Sequence, residues 1–160
     1  RYYDVTGVQP CALPISRSRD VDRIAVTTPD PVVADRARTA GAEILLREEP
    51  GLNAALEDGR ERLNIDADVG FLIVLGDVAG ARSTDFDRLI EAGQAGVRPG
   101  VWLAPSSDGG TSALLQIPSN AIPCSFGRNS ASRHRRAADD ASVAYHEIEQ
   151  IGRASCRARV

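Results

Sequence analysis

The stretch Phe71-Leu72-Ile73-Val74-Leu75-Gly76-Asp77 decides how the rest of the chain is read. Five consecutive apolar residues are too short for an ordinary helix and do not alternate with polar ones, so they predict a strand covered on both faces. Such a strand needs a layer on each side of its sheet. Upstream, Arg23 to Thr28 reads as a strand stopped by Pro29-Asp30-Pro31, where Asp30 can cap a helix whose first position is Pro31. Val33, Ala37 and Ala40 recur at helical spacing, Gly41 ends that helix, and Ala42 to Leu46 forms the next strand. Leu52, Ala55, Leu56 and Leu63 define one face of a second helix, interrupted near Gly59. Downstream, Ser83 or Thr84 caps a third helix bearing Phe86, Leu89 and Ile90. Val101 to Ala104 and Ala113 to Ile117 supply strands, and Ser130 opens a last helix before the strand-like Val143 to Ile148. This alternation predicts an α/β fold with a mostly parallel sheet flanked by helices.

The ends read differently. Val5 to Ile15 has neither the helical nor the strand period and resembles a translated sequencing adapter, Pro10 being the one departure. Ile151 to Arg157 resembles the adapter of the opposite end. An ordinary Pro/Gly-rich leader and a basic tail are the alternative. On the first reading residues 1–16 and 151–160 are artefacts to be set aside, and the expectation is one domain over residues 17–150, truncated at both ends.

That segment holds 15 arginines against 21 carboxylates, a formal charge of −6, and the whole chain contains no lysine. An acidic surface binds polyanions poorly, which argues against nucleic acid as a partner. Cys124 is the segment's single cysteine, so no disulfide forms within it, and a reducing cytoplasm is the expected compartment. The bland reading of Cys124 is a small hydrophobe; a nucleophile would want a His at a telling spacing. No apolar run approaches the ~20 residues of a membrane-spanning helix, and no membrane partner is expected. Oligomeric state leaves no mark in the sequence.

In open α/β sheets ligands bind beyond the carboxyl ends of the strands, so the residues that follow each strand are the candidates. Asp77, two residues after the apolar run, either holds a Mg²⁺ that bridges nucleotide phosphates or merely forms a turn. Asp108-Gly109-Gly110-Thr111-Ser112 offers backbone N–H groups and a hydroxyl to an anion; a plain hairpin turn would use the same residues. Ser125-Phe126-Gly127-Arg128-Asn129-Ser130 runs into a helix, where unpaired N–H groups and the helix dipole favour an anion; simple N-capping by Asn129 or Ser130 is the alternative. Arg133 lies close enough to that helix start to reach an anion. His134 reads as structural or surface rather than catalytic.

Taken jointly, these segments resemble a known family. Thr28-Pro29-Asp30, Gly51-Leu52-Asn53-Ala54-Ala55-Leu56, Leu75-Gly76-Asp77, Asp108 to Leu115 and Phe126-Gly127…Ser130…His134 are similar in order and spacing to the phosphoenolpyruvate or 2-phospho-L-lactate guanylyltransferases of deazaflavin coenzyme biosynthesis. The resemblance runs from Val21 to about Gln150. It implies a nucleotide-diphospho-sugar-transferase-like fold and transfer of GMP from GTP to the phosphate of a three-carbon phospho-acid. It further implies Asp77 as the catalytic Mg²⁺ ligand, Thr111, Gly127 and Ser130 as phospho-acid ligands, and Asn53 near the guanine or ribose.

Departures from the family pattern set further expectations. Val78-Ala79-Gly80 stands where the family has Leu-Pro and another apolar residue after its Asp. The family's basic triphosphate loop is replaced by the adapter-like leader, and its second acidic cluster is missing, so the chain alone is expected to be inactive or nearly so. A related nucleotidyltransferase for a sugar phosphate or molybdenum cofactor, and a non-catalytic nucleotide-binding fragment, remain alternatives. A dinucleotide oxidoreductase is disfavoured because no G-x-G-x-x-G follows a strand.

Overall fold

The computed structural model describes residues 15–47, 51–66, 68–76, 78, 80–148 and 151–152. Asp77 and much of the adapter-like ends lie outside the described residues. In chain order the elements are β1 (Ala25–Thr28), α1 (Pro31–Thr39), β2 (Glu43–Leu46), α2 (Leu52–Arg62), β3 (Phe71–Val74), α3 (Ser83–Ala95), β4 (Gly100–Pro105), β5 (Thr111–Ile117), α4 (Ser130–Asp140) and β6 (Ala144–Glu147). β1 and β2 pair in parallel. The larger sheet has the order β3-β5-β4-β6.

The first four residues of the run that decided the fold are fully enclosed, and Leu75 after them is partly buried. Phe71, Leu72, Ile73 and Val74 are each 0% exposed, and the strand alternation sends them to two different cores. Leu72 and Val74 join Phe86, Leu89 and Ile90 of α3. Phe71 and Ile73 join Leu56, Leu103 and Leu114 on the opposite face. Burying one such side chain is worth roughly 1.5–3 kcal/mol, so a strand without a polar position is stable only between two layers.

The α/β class holds, with one strand reversed. β5 is antiparallel to both β3 and β4, whereas β4 and β6 are parallel. β3, β4 and β6 therefore share a direction, and β5 brings its first residue, Thr111, to the rim where the other three end. Pro105, the last residue of β4, faces Thr111 across the pair. The reversal follows from a tight connection: a parallel neighbour would need a long crossover, and only Ser106 to Gly110 separate the two strands.

Helix boundaries follow the capping signals, with exceptions. Asp30 Oδ1 accepts the Val32 N–H at 2.8 Å, and Pro31 is the first residue of α1. α3 is preceded by Arg82, whose N–H donates to the Asp85 carboxylate at 3.0 Å. α2 continues through Gly59 instead of breaking there, because the missing side chain makes room: a Cβ would stand 3.1 Å from Leu45 Cδ1. Two residues of the adapter-like ends, Ile15 and Ile151, are buried in the α3-side core.

Candidate active site

The shared strand ends form one wall of a cleft of about 390 Å³. Leu75 and Val78 line it from the end of β3, Ser106 to Asp108 and Gly110 from the β4–β5 turn, Thr111 and Ser112 from β5, and Gly127 and Ser130 from the approach to α4.

The β4–β5 turn is held by its own polar groups. Ser106 N–H donates to Gly110 O and Gly109 N–H to Ser106 O, each at 3.1 Å. Asp108 Oδ1 accepts the Ser106 hydroxyl and the Gly110 N–H, and these bonds, the Ser106 one foremost, hold its carboxyl below the usual carboxylate range. Gly110 has no room for a side chain, since a Cβ would lie 2.6 Å from Ser106 Oγ. Asp108 to Ser112 is thus a hairpin turn whose Gly109 and Gly110 N–H groups are engaged within the turn itself, while Asp108, Gly110, Thr111 and Ser112 line the cleft.

At the start of α4 the geometry departs from simple capping. Asn129 sits in the left-handed region at φ 55° and makes no side-chain cap. The Ser130 hydroxyl turns away from the helix and donates to Thr111 Oγ1 at 2.8 Å. Thr111 Oγ1 also lies 3.1 Å from His134 Nδ1, and His134 Nε2 accepts the Ser125 N–H at 3.0 Å. Ser130 and His134 are four apart, one above the other on a helical face, and both are 0% exposed. His134 is therefore structural and buried, not at the surface. Burial, and then the charge of Arg133, push its imidazole down to about 4, and the Phe126 ring meets it edge-on at 5.0 Å.

The Phe126–Gly127 segment is pinned from two directions. Asn53 Oδ1 accepts the Phe126 N–H at 2.7 Å while its Nδ2 donates to Phe126 O at 3.1 Å. Arg133 Nη2 donates to the same carbonyl at 3.1 Å. Gly127 adopts φ +119°, and a Cβ there would press on Arg133 Nη2 at 3.2 Å, so glycine lets the guanidinium lie against the backbone at the cleft.

Three residues singled out from the sequence, Thr111, Gly127 and Ser130, therefore share one cleft. Asp77 lies outside the described residues, although Leu75 and Val78 on either side of it line the same space. Asn53 is not among the residues lining the cleft; its amide bonds both the N–H and the carbonyl of Phe126. Cys124 is buried, and its thiol is pushed up to about 12, chiefly by burial and then by Glu57, consistent with the hydrophobe reading. The tie from His134 to Thr111 was not foreseen; the four-residue spacing from Ser130 was the available signal. Among the described residues no group of three or more His, Cys, Asp or Glu side chains could hold a metal, and no helix is long and apolar enough to cross a membrane.

Comparison with known proteins supplies the family. The chain is 39% identical over 128 residues to the phosphoenolpyruvate guanylyltransferase of Rubrobacter xylanophilus, an alignment covering 79% of this chain and 61% of that protein. It is 34% identical over 127 residues to the 3-phospho-D-glycerate guanylyltransferase of Colwellia psychrerythraea, covering 79% and 59%. The chain thus spans about three fifths of the length of these relatives. Among solved structures, glucosyl-3-phosphoglycerate synthase from Mycobacterium tuberculosis, in complex with Mn²⁺, uridine diphosphate and glucosyl-3-phosphoglycerate, matches with a TM-score of 0.67 over 93% of this chain and 70% of that one. At 14% identity that likeness concerns the fold alone, which this chain also shares with a putative nucleotide-diphospho-sugar transferase from Desulfovibrio desulfuricans, matched with a TM-score of 0.68 at 9% identity over 87% of this chain and 63% of that one. The model of guanylyl transferases described as CofC like matches residues 13–148, a span that contains the whole cleft, and the chain belongs to that family.

Proposed function

We propose that this chain carries the acceptor wall of a guanylyltransferase that joins GMP from GTP to the phosphate of a three-carbon phospho-acid. Phosphoenolpyruvate and 2-phospho-L-lactate are the acceptors considered first, and the Colwellia relative adds 3-phosphoglycerate. The observation that carries the reading is the gathering of Thr111, Gly127 and Ser130 around one cleft beside the strand end that leads to Asp77. In this reaction an acceptor phosphate oxygen forms a bond to the α-phosphorus of GTP, the bond to the β-phosphate oxygen breaks, and pyrophosphate leaves. The nucleophile is already anionic, so no protein base is required, and positioning with charge neutralisation sets the rate. A cleft of hydroxyls and backbone amides without a Ser-His-Asp or Cys-His arrangement suits that demand.

Thr111, Ser130 and the backbone at Gly127 would hold the acceptor, with Arg133 supplying positive charge beside it. Asn53 would act mainly by fixing Phe126, with its remaining N–H and lone pair turned to the guanine or ribose. Asp77 would be the carboxylate for Mg²⁺, which when bound neutralises charge on the nucleotide phosphates. The setting proposed is cytoplasmic deazaflavin coenzyme biosynthesis, with residues 17–150 as the natural domain.

The test is GTP-dependent pyrophosphate release with each acceptor, by this chain alone and by the chain extended at both ends with the corresponding segments of the Rubrobacter relative. Turnover is expected from the extended form and to vanish in Asp77→Asn, with little or none from the chain alone. An extended, folded form that turns over with none of the three acceptors would overturn the reading.

A further inference from the structure

Two hydroxyls lining the cleft and an imidazole bonded to one of them settle their own proton arrangement. A backbone N–H can only donate, so the bond from Ser125 N–H to His134 Nε2 leaves that nitrogen without a proton. The neutral ring must then carry its proton on Nδ1, where it donates to Thr111 Oγ1. Burial keeps the ring neutral by disfavouring its charged form. The group His134 Nδ1, Thr111 Oγ1 and Ser130 Oγ thus holds three protons but makes two internal contacts. One hydroxyl proton is left over. It belongs to Thr111 when Ser130 donates inward and to Ser130 when Thr111 donates to it; both residues line the cleft. The opposite tautomer would reverse the outcome, because Nδ1 would accept from Thr111, Thr111 from Ser130, and only lone pairs would face the cleft.

We infer that His134 is a positioning residue whose Nδ1–H tautomer makes the Thr111–Ser130 hydroxyl pair an obligate donor to an anionic ligand oxygen in the cleft. The inference deepens the phospho-acid reading and rests on it for the identity of the ligand. Thr111 is 2% and Ser130 0% exposed, and a buried hydroxyl proton without an acceptor is costly. A phosphate or carboxylate oxygen removes that cost on binding. An uncharged ligand with only a donor at that position gains nothing. His134 thereby favours phosphate esters over their amine or alcohol counterparts without touching the ligand.

Long-range proton–nitrogen correlation spectra of the whole chain read the tautomer without any substitution. The Nδ1–H form is expected at His134, and finding Nε2–H or a charged ring at neutral pH overturns the inference. Two variants then separate the ring's two bonds, because an Asn amide can stand in for Nδ1 and a Gln amide for Nε2. His134→Asn keeps the donor to Thr111, and His134→Gln keeps the acceptor for Ser125. With phosphoenolpyruvate as the calorimetric probe, His134→Asn is expected within about threefold of the parent and His134→Gln weaker by about tenfold or more, or ~1.4 kcal/mol. Equal weakening, or the reverse order, overturns the role of His134 while leaving the phospho-acid reading standing. If the parent binds inorganic phosphate but not phosphoenolpyruvate, with the same variant order, the acceptor assignment fails and the His134 inference holds. Binding of neither probe by the parent overturns both.

Discussion

The two ends of the molecule use polar side chains in opposite ways. In the β1–β2 unit Arg23 and Glu43 form an ion pair at 2.8 Å whose side chains are 44% and 46% exposed, and Arg38 pairs with Asp35 in even more open solvent. At the β5–α4 rim the deepest-buried polar side chains are hydroxyls and one neutral imidazole, with Ser130 and His134 0% exposed. Charge at the surface keeps its water and contributes little when paired. A buried hydroxyl or imidazole has given up its water and depends on each partner it retains. Buried polar side chains also occur elsewhere, as at Gln116, so what sets this rim apart is their linkage into one hydrogen-bonded group beneath the cleft.

If that contrast is right, acid should act through His134 before it acts through surface pairs. Free histidine titrates near 6.5, and in the folded chain burial and then Arg133 push His134 down to about 4. The unfolded chain therefore takes up this proton more readily. The stabilisation is complete above pH 6.5, shrinks as pH falls and is gone below about 4, a loss on the order of 3 kcal/mol. Urea unfolding of the parent and of His134→Gln between pH 7.5 and 4 measures it as a converging difference. A difference that stays flat across the window would break the contrast at its strongest point.

Asn53 probes the same wall from outside the cleft. Asn53→Ala strips Phe126 N–H of its acceptor while the Phe126 carbonyl keeps Arg133. Leaving one buried donor unpaired costs about 1–3 kcal/mol. Loosening the backbone beside Gly127 should also weaken phosphoenolpyruvate, and Asn53→Asp, which retains the acceptor, should lose less of both. A variant that loses GTP affinity alone, at unchanged stability, would instead assign the amide to the nucleotide.

The legible parts of this molecule are those written in local pattern. The unbroken Phe71–Leu75 run revealed a strand between two layers, Pro31 after Asp30 revealed a helix start, and glycines beside hydroxyls marked Thr111, Gly127 and Ser130. The direction of β5 was less legible, because side-chain alternation is the same in either direction; only the turn-forming Asp108-Gly109-Gly110 hinted at it. The clamp of Asn53 on Phe126 joins residues 73 apart, and the His134 contact to Thr111 joins residues 23 apart. Partners at such separations are chosen by tertiary packing, and no local period encodes them. Where Ser130 and His134 share one helical face, the period did encode half of the relation.

The exposed pair provides the smallest effect and so the cleanest control. Arg23 donates to both Glu43 oxygens, at 2.8 and 3.1 Å, and this bonding lowers the Glu43 carboxyl below its ordinary value despite some opposing desolvation. The bidentate geometry is favourable, but both side chains remain nearly half exposed, so water and salt screen the attraction and the fixed rotamers offset part of it. Glu43→Gln is expected to cost no more than about 0.5–1 kcal/mol, falling further as ionic strength rises. It should leave phosphoenolpyruvate binding unchanged, since Glu43 lies on the other sheet. Chemical denaturation at low and high salt checks the first expectation and calorimetry the second. A loss as large as that of Asn53→Ala would mean that paired surface charge, and not buried polarity, is the better guide to what this fold depends on.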